Sequence, residues 1–258
     1  MSLQNCYNFE DLRKLAKKKL PSPIFHYIDG GADDEVTLNR NTEAFNDCDL
    51  VPSILNSVGE PDLSTTVFGR KISMPLFLSP TAMQRLYHHD GDKASARAAE
   101  KFGVPFTLST MSICSIEDVA ENTTKPFWMQ LYMMRDTDYI SRLIQRAKDA
   151  KVSALVITLD LQILGQRHKD LKNGLSAPPK LTLKTIANLA TKWSWGLEML
   201  GTKRRFFGNI VGHVKNISDA SSLSAWTSEQ FDPSLDWHLS LIHISEPTRL
   251  LSISCAGF

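Results

Sequence analysis

Four short apolar runs, at residues 75–79, 104–108, 127–132 and 154–158, constrain this chain more than any other feature. They start roughly 25 residues apart and are separated by stretches with helical patterning. Those stretches are Ala-rich at 90–102, open on the capping-box pattern Ser115-Ile116-Glu117-Asp118, and are amphipathic at 137–150. Strands that run parallel need a crossover of about a dozen residues or more, usually a helix, so the rhythm predicts βα units. Each run ends in polar residues: Ser79-Pro80-Thr81, Ser109-Thr110, Gln130 and Tyr132, and Thr158 with Asp160. Both a (β/α)8 barrel and an open doubly wound sheet bind ligands at the C-terminal strand ends, so the pattern does not choose between them. After Asp160 the rhythm stops. Residues 161–237 form one long excursion with a helix predicted at 183–190, and a loop of that length is usually functional or disordered. A closed barrel needs eight strands over about 250 residues, and only four runs are present.

Upstream of the runs the chain reads as helical. Asn8 is placed to cap a helix carrying Phe9, Leu12, Leu15 and Ala16 on one face, ended by Pro21 and Pro23. Lys14, Lys17, Lys18 and Lys19 form its solvated face. A second helix covers 24–29 and ends at Gly30-Gly31. The chain is 42% hydrophobic and 22% charged with formal net charge +1, which gives no reason to invoke nucleic acid. Cys6, Cys48, Cys114 and Cys255 are far apart, with no metal-ligand spacing, so no metal is expected and the thiols read as reduced. Neither a signal peptide nor a transmembrane run is visible, so the expectation is a cytoplasmic protein, at most peripheral on the inner face of the plasma membrane. From Leu239 onward, through Ser245-Glu246-Pro247-Thr248-Arg249, the pattern is not continued and resembles a translated sequencing adapter. The expected organisation is a helical segment over 1–74, a βα region over 75–237 and a tail over 238–258 that stands outside it.

Several motifs occur in order. Phe25-His26-Tyr27-Ile28-Asp29-Gly30-Gly31-Ala32 is followed by Asn39-Arg40-Asn41, then Ser79-Pro80-Thr81-Ala82-Met83 and Gln130-Leu131-Tyr132. Thr158-Leu159-Asp160 precedes Gly165-Gln166-Arg167 and Asp170, and Phe231-Asp232-Pro233-Ser234-Leu235-Asp236-Trp237 comes last. Together they resemble the FMN-dependent 2-hydroxy-acid oxidase and dehydrogenase family, and residues 51–100 look closest to its bacterial L-lactate dehydrogenases. The resemblance implies an α/β fold: the N-terminal helical segment plus the first four βα units of a TIM (β/α)8 barrel, incomplete in this chain. It implies FMN as cofactor and oxidation of a small L-2-hydroxy acid, L-lactate to pyruvate, with quinone or oxygen as electron acceptor. Full-length relatives are homo-oligomeric.

The resemblance also implies roles. Pro80-Thr81-Ala82 would set the Ala82 backbone N–H near the flavin N5, where a donor stabilises developing charge; alone, the tripeptide is a strand-ending Pro turn. Ser109, Gln130 and Thr158 would hydrogen-bond the polar edge of the isoalloxazine, although any one of them is equally a satisfied strand-end cap. Tyr27 and Tyr132 would point hydroxyls at the substrate carboxylate; taken singly, each reads as a core tyrosine. Arg167 would grip that carboxylate with its planar fork, where an isolated Arg would be a surface residue. Asp160 would orient and charge-stabilise a catalytic histidine, or otherwise cap the adjoining turn.

That histidine, in a Ser-Asn-His-Gly-Gly-Arg-like motif after the fifth strand, is absent from this chain, as are the later Gly/Arg motifs that hold the FMN phosphate. His26, His88, His89, His168 and His213 stand in segments that do other work in the family, and His238 and His243 lie at or past the junction. The alternative reading is therefore a catalytically inactive fragment. Leu161-Gln162-Ile163-Leu164 also departs from the family's turn after the fourth strand. Lys192-Trp193-Ser194-Trp195 and Lys203-Arg204-Arg205-Phe206-Phe207 interleave basic and aromatic residues, which suits either a membrane surface or an ordinary amphipathic loop helix.

Overall fold

The computed structural model describes residues 2–55, 59–159, 165–174, 183–202, 206–214, 226, 229–230 and 250–251. Helix α1 (Phe9–Lys19) starts where expected: Asn8 Oδ1 accepts the Asp11 N–H at 2.9 Å, satisfying one orphan donor of the first turn. It ends before Pro21, and α2 (Ser22–Asp29) follows with a proline in its first turn. Arg13 ties the two helices together through both Asp29 oxygens, Nε–Oδ1 at 2.5 Å and Nη2–Oδ2 at 3.0 Å. A third helix, α3 (Val36–Glu43), was not expected.

The N-terminal segment is not wholly helical. Strands β1 (Thr65–Val67) and β2 (Arg70–Ile72) pair antiparallel across a two-residue turn. Phe68 at φ 50° and Gly69 at φ 75° both occupy the left-handed region, as a tight hairpin turn of the primed type requires.

The main sheet has the order β3 (Thr107–Leu108), β4 (Trp128–Tyr132), β5 (Ala154–Thr158) and β6 (Leu250–Leu251), all parallel. The run at 75–79 contributes only an isolated parallel bridge, Leu78 with Phe106, and the run at 104–108 only the two residues of β3. Pro75, Pro80 and Pro105 have no N–H to give a ladder, which shortens both strands. Leu250–Leu251, in the tail expected to stand outside the sheet, pairs with Leu155 and Val156 on the edge of β5. An open strand edge presents unpaired N–H and C=O groups, and these two residues satisfy some of them.

Helices α4 (Asp92–Phe102), α5 (Ile116–Ala120) and α6 (Thr137–Asp149) cover one face of the sheet. Gly103, at φ 68°, ends α4 in the left-handed conformation that glycine adopts most readily. The capping box at Ser115 and Asp118 forms as predicted. Side chains alternate along each strand: Met129, Leu131, Leu155 and Ile157 pack on the helices against Ile116, Val119, Ile140 and Leu143. Trp128, Ala154 and Val156 point to the opposite face, where Val67 of the hairpin covers them.

Part of the long excursion is ordered against this core. Helices α7 (His168–Lys172), α8 (Leu183–Ala190) and α9 (Trp193–Leu200) lie within it, α8 with the predicted bounds. Asn209 and Ile210 are fully buried. The Asn209 Oδ1 accepts the Ile116 N–H at 3.0 Å, an orphan donor of the α5 N-terminus, and its carbonyl accepts from the Tyr139 hydroxyl at 3.3 Å.

Candidate active site

The two ends of the sheet differ in chemistry. At the N-terminal end, Trp128 opens β4 and is flanked by Phe68 and Phe77, with ring centroids 5.9 and 5.3 Å away. That end is aromatic rather than polar, with both phenylalanines partly open to solvent. A cavity of about 380 Å³ lined by Arg70, Glu100, Phe106 and Lys125 lies near it, beside β2 and α4 and away from the polar strand ends.

At the C-terminal ends, the side chain of Gln130 links three strands. Its Oε1 accepts the Thr110 N–H at 3.1 Å and the Ser109 hydroxyl at 3.4 Å, and its Nε2 donates to Thr158 Oγ1 at 3.0 Å. The Thr110 hydroxyl returns to the Gln130 carbonyl at 2.6 Å. A backbone N–H can only donate, so the Oε1 must face Thr110 and the amide orientation is set. One Nε2 hydrogen is spent on Thr158 and the second is unspent. Ser109 and Gln130 are buried, Thr158 half-buried, and Tyr132 is paired in register with Thr158 at the same end.

The 79–87 turn stands beside this cluster. Pro80 and Thr81 are exposed and Ala82 is half-buried. Among the described residues the Ala82 N–H has no hydrogen-bond partner, while its carbonyl accepts from the Tyr87 hydroxyl at 3.1 Å. The Met83 N–H donates to the Met111 carbonyl at 3.2 Å, joining the turn to the loop that carries Ser109.

The third group joins α2 and α7. Arg167 lies over the Tyr27 ring, 5.0 Å from its centroid. Its Nη2 donates to the carbonyls of Tyr27 at 2.5 Å and Gly30 at 2.9 Å, which belong to the unsatisfied C-terminal turn of α2. Its Nε is 2.7 Å from Asp170 Oδ2, an ion pair off the hydrogen-bond line that leaves Asp170 Oδ1 buried without a partner. Lys169 pairs with Glu35 at 2.6 Å, and this holds the Glu35 carboxyl below its ordinary value. Burial raises the Tyr27 phenol, against an opposing pull from Arg167. Burial likewise raises Tyr87.

Of the residues singled out in the sequence, Ser109, Gln130 and Thr158 come together directly; Ala82 and Tyr132 stand at the same strand ends, and Tyr27 and Arg167 form an adjoining pair. Nη2 of Arg167 is committed to main-chain carbonyls and Nε is ion-paired with Asp170 without a hydrogen bond, while Nη1 has no hydrogen bond among the described residues. Asp160 lies outside the described residues, as do the Leu161-to-Leu164 turn, the Lys203-to-Arg205 cluster and the segment 231–237. Sequence reasoning missed Tyr87 and Asn209. For Tyr87 the only signal was its place five residues after Ala82; for Asn209 there was none.

The donor set suits a flavin ring. The polar edge of an isoalloxazine is mostly acceptors, and among the described residues the unspent donors are the Ala82 N–H, the second Gln130 N–H and the Thr158 hydroxyl.

Comparison with known proteins agrees with this geometry. The FMN-dependent dehydrogenase family model matches residues 16–253. The L-lactate dehydrogenase of Xanthobacter autotrophicus is 39% identical over 228 residues, covering 88% of this chain and 58% of that protein. Its Vibrio cholerae counterpart is also 39% identical over 228 residues, covering 88% and 60%. Among solved structures, the monotopic membrane protein (S)-mandelate dehydrogenase superposes with a TM-score of 0.88 at 33% identity, covering 96% of this chain and 66% of that one. A mandelate oxidase gives a TM-score of 0.71 at 29% identity, covering 95% and 62%. The chain thus spans 58–60% of the length of the curated L-lactate dehydrogenases it matches. With a family model matched along most of its length, the chain belongs to the FMN-dependent dehydrogenases.

Proposed function

We propose that this chain carries the flavin-edge and carboxylate-recognition part of an FMN-dependent L-2-hydroxy-acid dehydrogenase, with L-lactate as the first substrate to test. The observation that carries this reading is the Ser109–Gln130–Thr158 chain of hydrogen bonds across three strand ends, which leaves one Gln130 N–H unspent among the described residues. The sheet is read as one arc of a (β/α)8 barrel, and its polar C-terminal ends as the cofactor face. FMN, when bound, supplies the acceptor for the hydride equivalent leaving the substrate α-carbon.

The chain's own residues orient and hold. Gln130 and Thr158 would meet the ring edge, and the Ala82 N–H would meet the atom where charge develops. The Tyr27 hydroxyl, without a hydrogen-bond partner among the described residues, and Arg167, which lies over the Tyr27 ring, would share the substrate carboxylate with Tyr132. Asp160 would orient the proton-accepting histidine. No Ser-Asn-His-Gly-Gly-Arg motif occurs among the 258 residues, so the role of these residues is binding and orientation, with the proton transfer assigned to a histidine outside them. A missing general base costs roughly 10²–10⁴-fold in rate.

Helices α8 and α9 would make peripheral membrane contact, because Trp193, Leu197 and Leu200 are 71%, 60% and 70% exposed on one short helix. Among the described residues no helix is long and apolar enough to cross a membrane. The electron acceptor would be quinone or oxygen, and assembly would be homo-oligomeric.

The test is an FMN titration of the purified chain followed by flavin fluorescence, then anaerobic addition of L-lactate. Saturable quenching with a red-shifted, structured flavin band supports the cofactor site. Bleaching by L-lactate at a rate far below that of a matched L-lactate dehydrogenase is the expected second result. Flavin fluorescence unchanged at millimolar FMN would overturn the assignment.

A further inference from the structure

The turn that bears the unspent Ala82 N–H is held in a strained shape. Met83 has φ 55° and ψ 28°, a left-handed conformation that is unfavourable for a non-glycine residue and persists only where surrounding contacts impose it. Those contacts are visible. The peptide between Ala82 and Met83 is clamped at both ends: its carbonyl accepts from the Tyr87 hydroxyl at 3.1 Å, and its N–H donates to the Met111 carbonyl at 3.2 Å. The turn closes on itself through Leu86 N–H to the Met83 carbonyl at 2.9 Å. From outside, Trp195 Nε1 of α9 donates to the Leu86 carbonyl at 2.8 Å, one residue from Tyr87. Met111 follows Ser109 and Thr110, so one clamp is anchored in the loop that meets Gln130.

We propose that Tyr87 is a positioning residue: its hydroxyl, with the Met111 carbonyl, holds the Ala82–Met83 peptide so that the neighbouring Ala82 N–H projects toward the flavin N5 position. The inference rests on the FMN reading above and adds a residue to which the family motifs assign nothing in this chain. Tyr87 acts through the backbone and needs no contact with substrate. Rotation of the 82–83 peptide would relax Met83 and change ψ of Ala82, releasing the preceding peptide, which carries the Ala82 N–H, from its fixed orientation relative to the clamped one. The Trp195 bond makes the turn rigid on its outer side, so Trp195→Phe acts on the same turn with a smaller effect.

The experiment compares the wild-type chain with Tyr87→Phe, which keeps the ring and removes only the oxygen. Sulfite adds to the flavin N5, and the affinity of that adduct reports the donor at N5 independently of turnover. With excess FMN, the substitution is expected to weaken sulfite binding roughly five- to tenfold, the loss of about one hydrogen bond. The FMN Kd and the thermal midpoint are expected to stay close to wild type, which a merely structural role would not allow. Without FMN, hydrogen exchange of the Met83 amide is expected to speed up in Tyr87→Phe. Equal sulfite affinity and equal Met83 exchange in the two proteins would overturn the positioning role while leaving the FMN reading intact. Failure of the wild-type chain to take up FMN or form the adduct would overturn that reading and this inference with it.

Discussion

Asp92 is the group whose removal has the most directly calculable consequence. It opens α4, is fully buried, and receives the Ser112 hydroxyl on Oδ2, while Oδ1 has no hydrogen-bond partner. Its position at a helix N-terminus and the serine both favour the anion, but burial dominates and pushes the carboxyl from 3.8 to about 6. A carboxyl whose pKa is higher in the folded chain binds more protons there than in the unfolded one. Its contribution is fully present below 3.8 and is lost as pH rises through about 6. Two pKa units correspond to about 3 kcal/mol at neutral pH. Asp92→Asn removes the titration, and any packing or hydrogen-bond cost of the amide is a constant offset. The assay is denaturant unfolding of both proteins at intervals from pH 4 to pH 8, read as the difference between them. That difference should shift by about 3 kcal/mol in favour of Asp92→Asn across the range, several degrees in Tm for a chain of this size. A flat difference, or one that favours wild type as pH rises, would refute the claim that burial outweighs the serine and the helix terminus.

Glu117 has the opposite sign. Two hydrogen bonds from Arg146 hold it down to about 2, so its stabilising contribution is present above 4.5 and is lost as pH falls toward 2. Glu117→Gln should flatten the acid limb of a thermal-melt series between pH 5 and pH 2, modestly, because the carboxylate is half-exposed and screened. Gln130→Met strands the buried Thr110 N–H, so a loss of about 1–3 kcal/mol in urea unfolding is expected, together with loss of FMN quenching. Asn209→Ala leaves the Ile116 N–H unpaired at the start of α5, which should cost a similar 1–3 kcal/mol by urea unfolding with FMN quenching retained.

Legibility in the sequence followed the range of the physics involved. Strand β5 was readable to the residue because a buried parallel strand is a continuous apolar run, and the caps at Asn8 and Ser115 because a cap is a contact over three residues. The 65–72 hairpin was not, since Phe68-Gly69 is not a common signature for a two-residue turn and its strands are three residues long. The polar strand ends were visible as a set, yet the direction of the Gln130 amide depends on Thr110, twenty residues away. The partners of Arg167 are further still: the carbonyls it satisfies are 137 and 140 residues upstream, where no local pattern reaches.

Arg167 also shows how binding and chemistry divide in this chain. A guanidinium with every donor free can hold a carboxylate through two parallel bonds. Here Nη2 closes the end of α2 and Nε faces Asp170, so under the proposed function a substrate carboxylate would meet Nη1 alone unless α2 and α7 separate. Separation would leave the Tyr27 and Gly30 carbonyls unpaired and expose the Asp170 carboxylate, so the committed arrangement is the stable one without substrate. Under that reading the Tyr27 hydroxyl would be the second donor, and the pair would read one carboxylate oxygen each. Such a pair fixes where the carboxylate sits but says nothing about the hydroxyl proton, which requires a base elsewhere. Under the proposed function, recognition of a 2-hydroxy acid would rest on Tyr27 and Arg167, whereas its oxidation would also need the proton-accepting base.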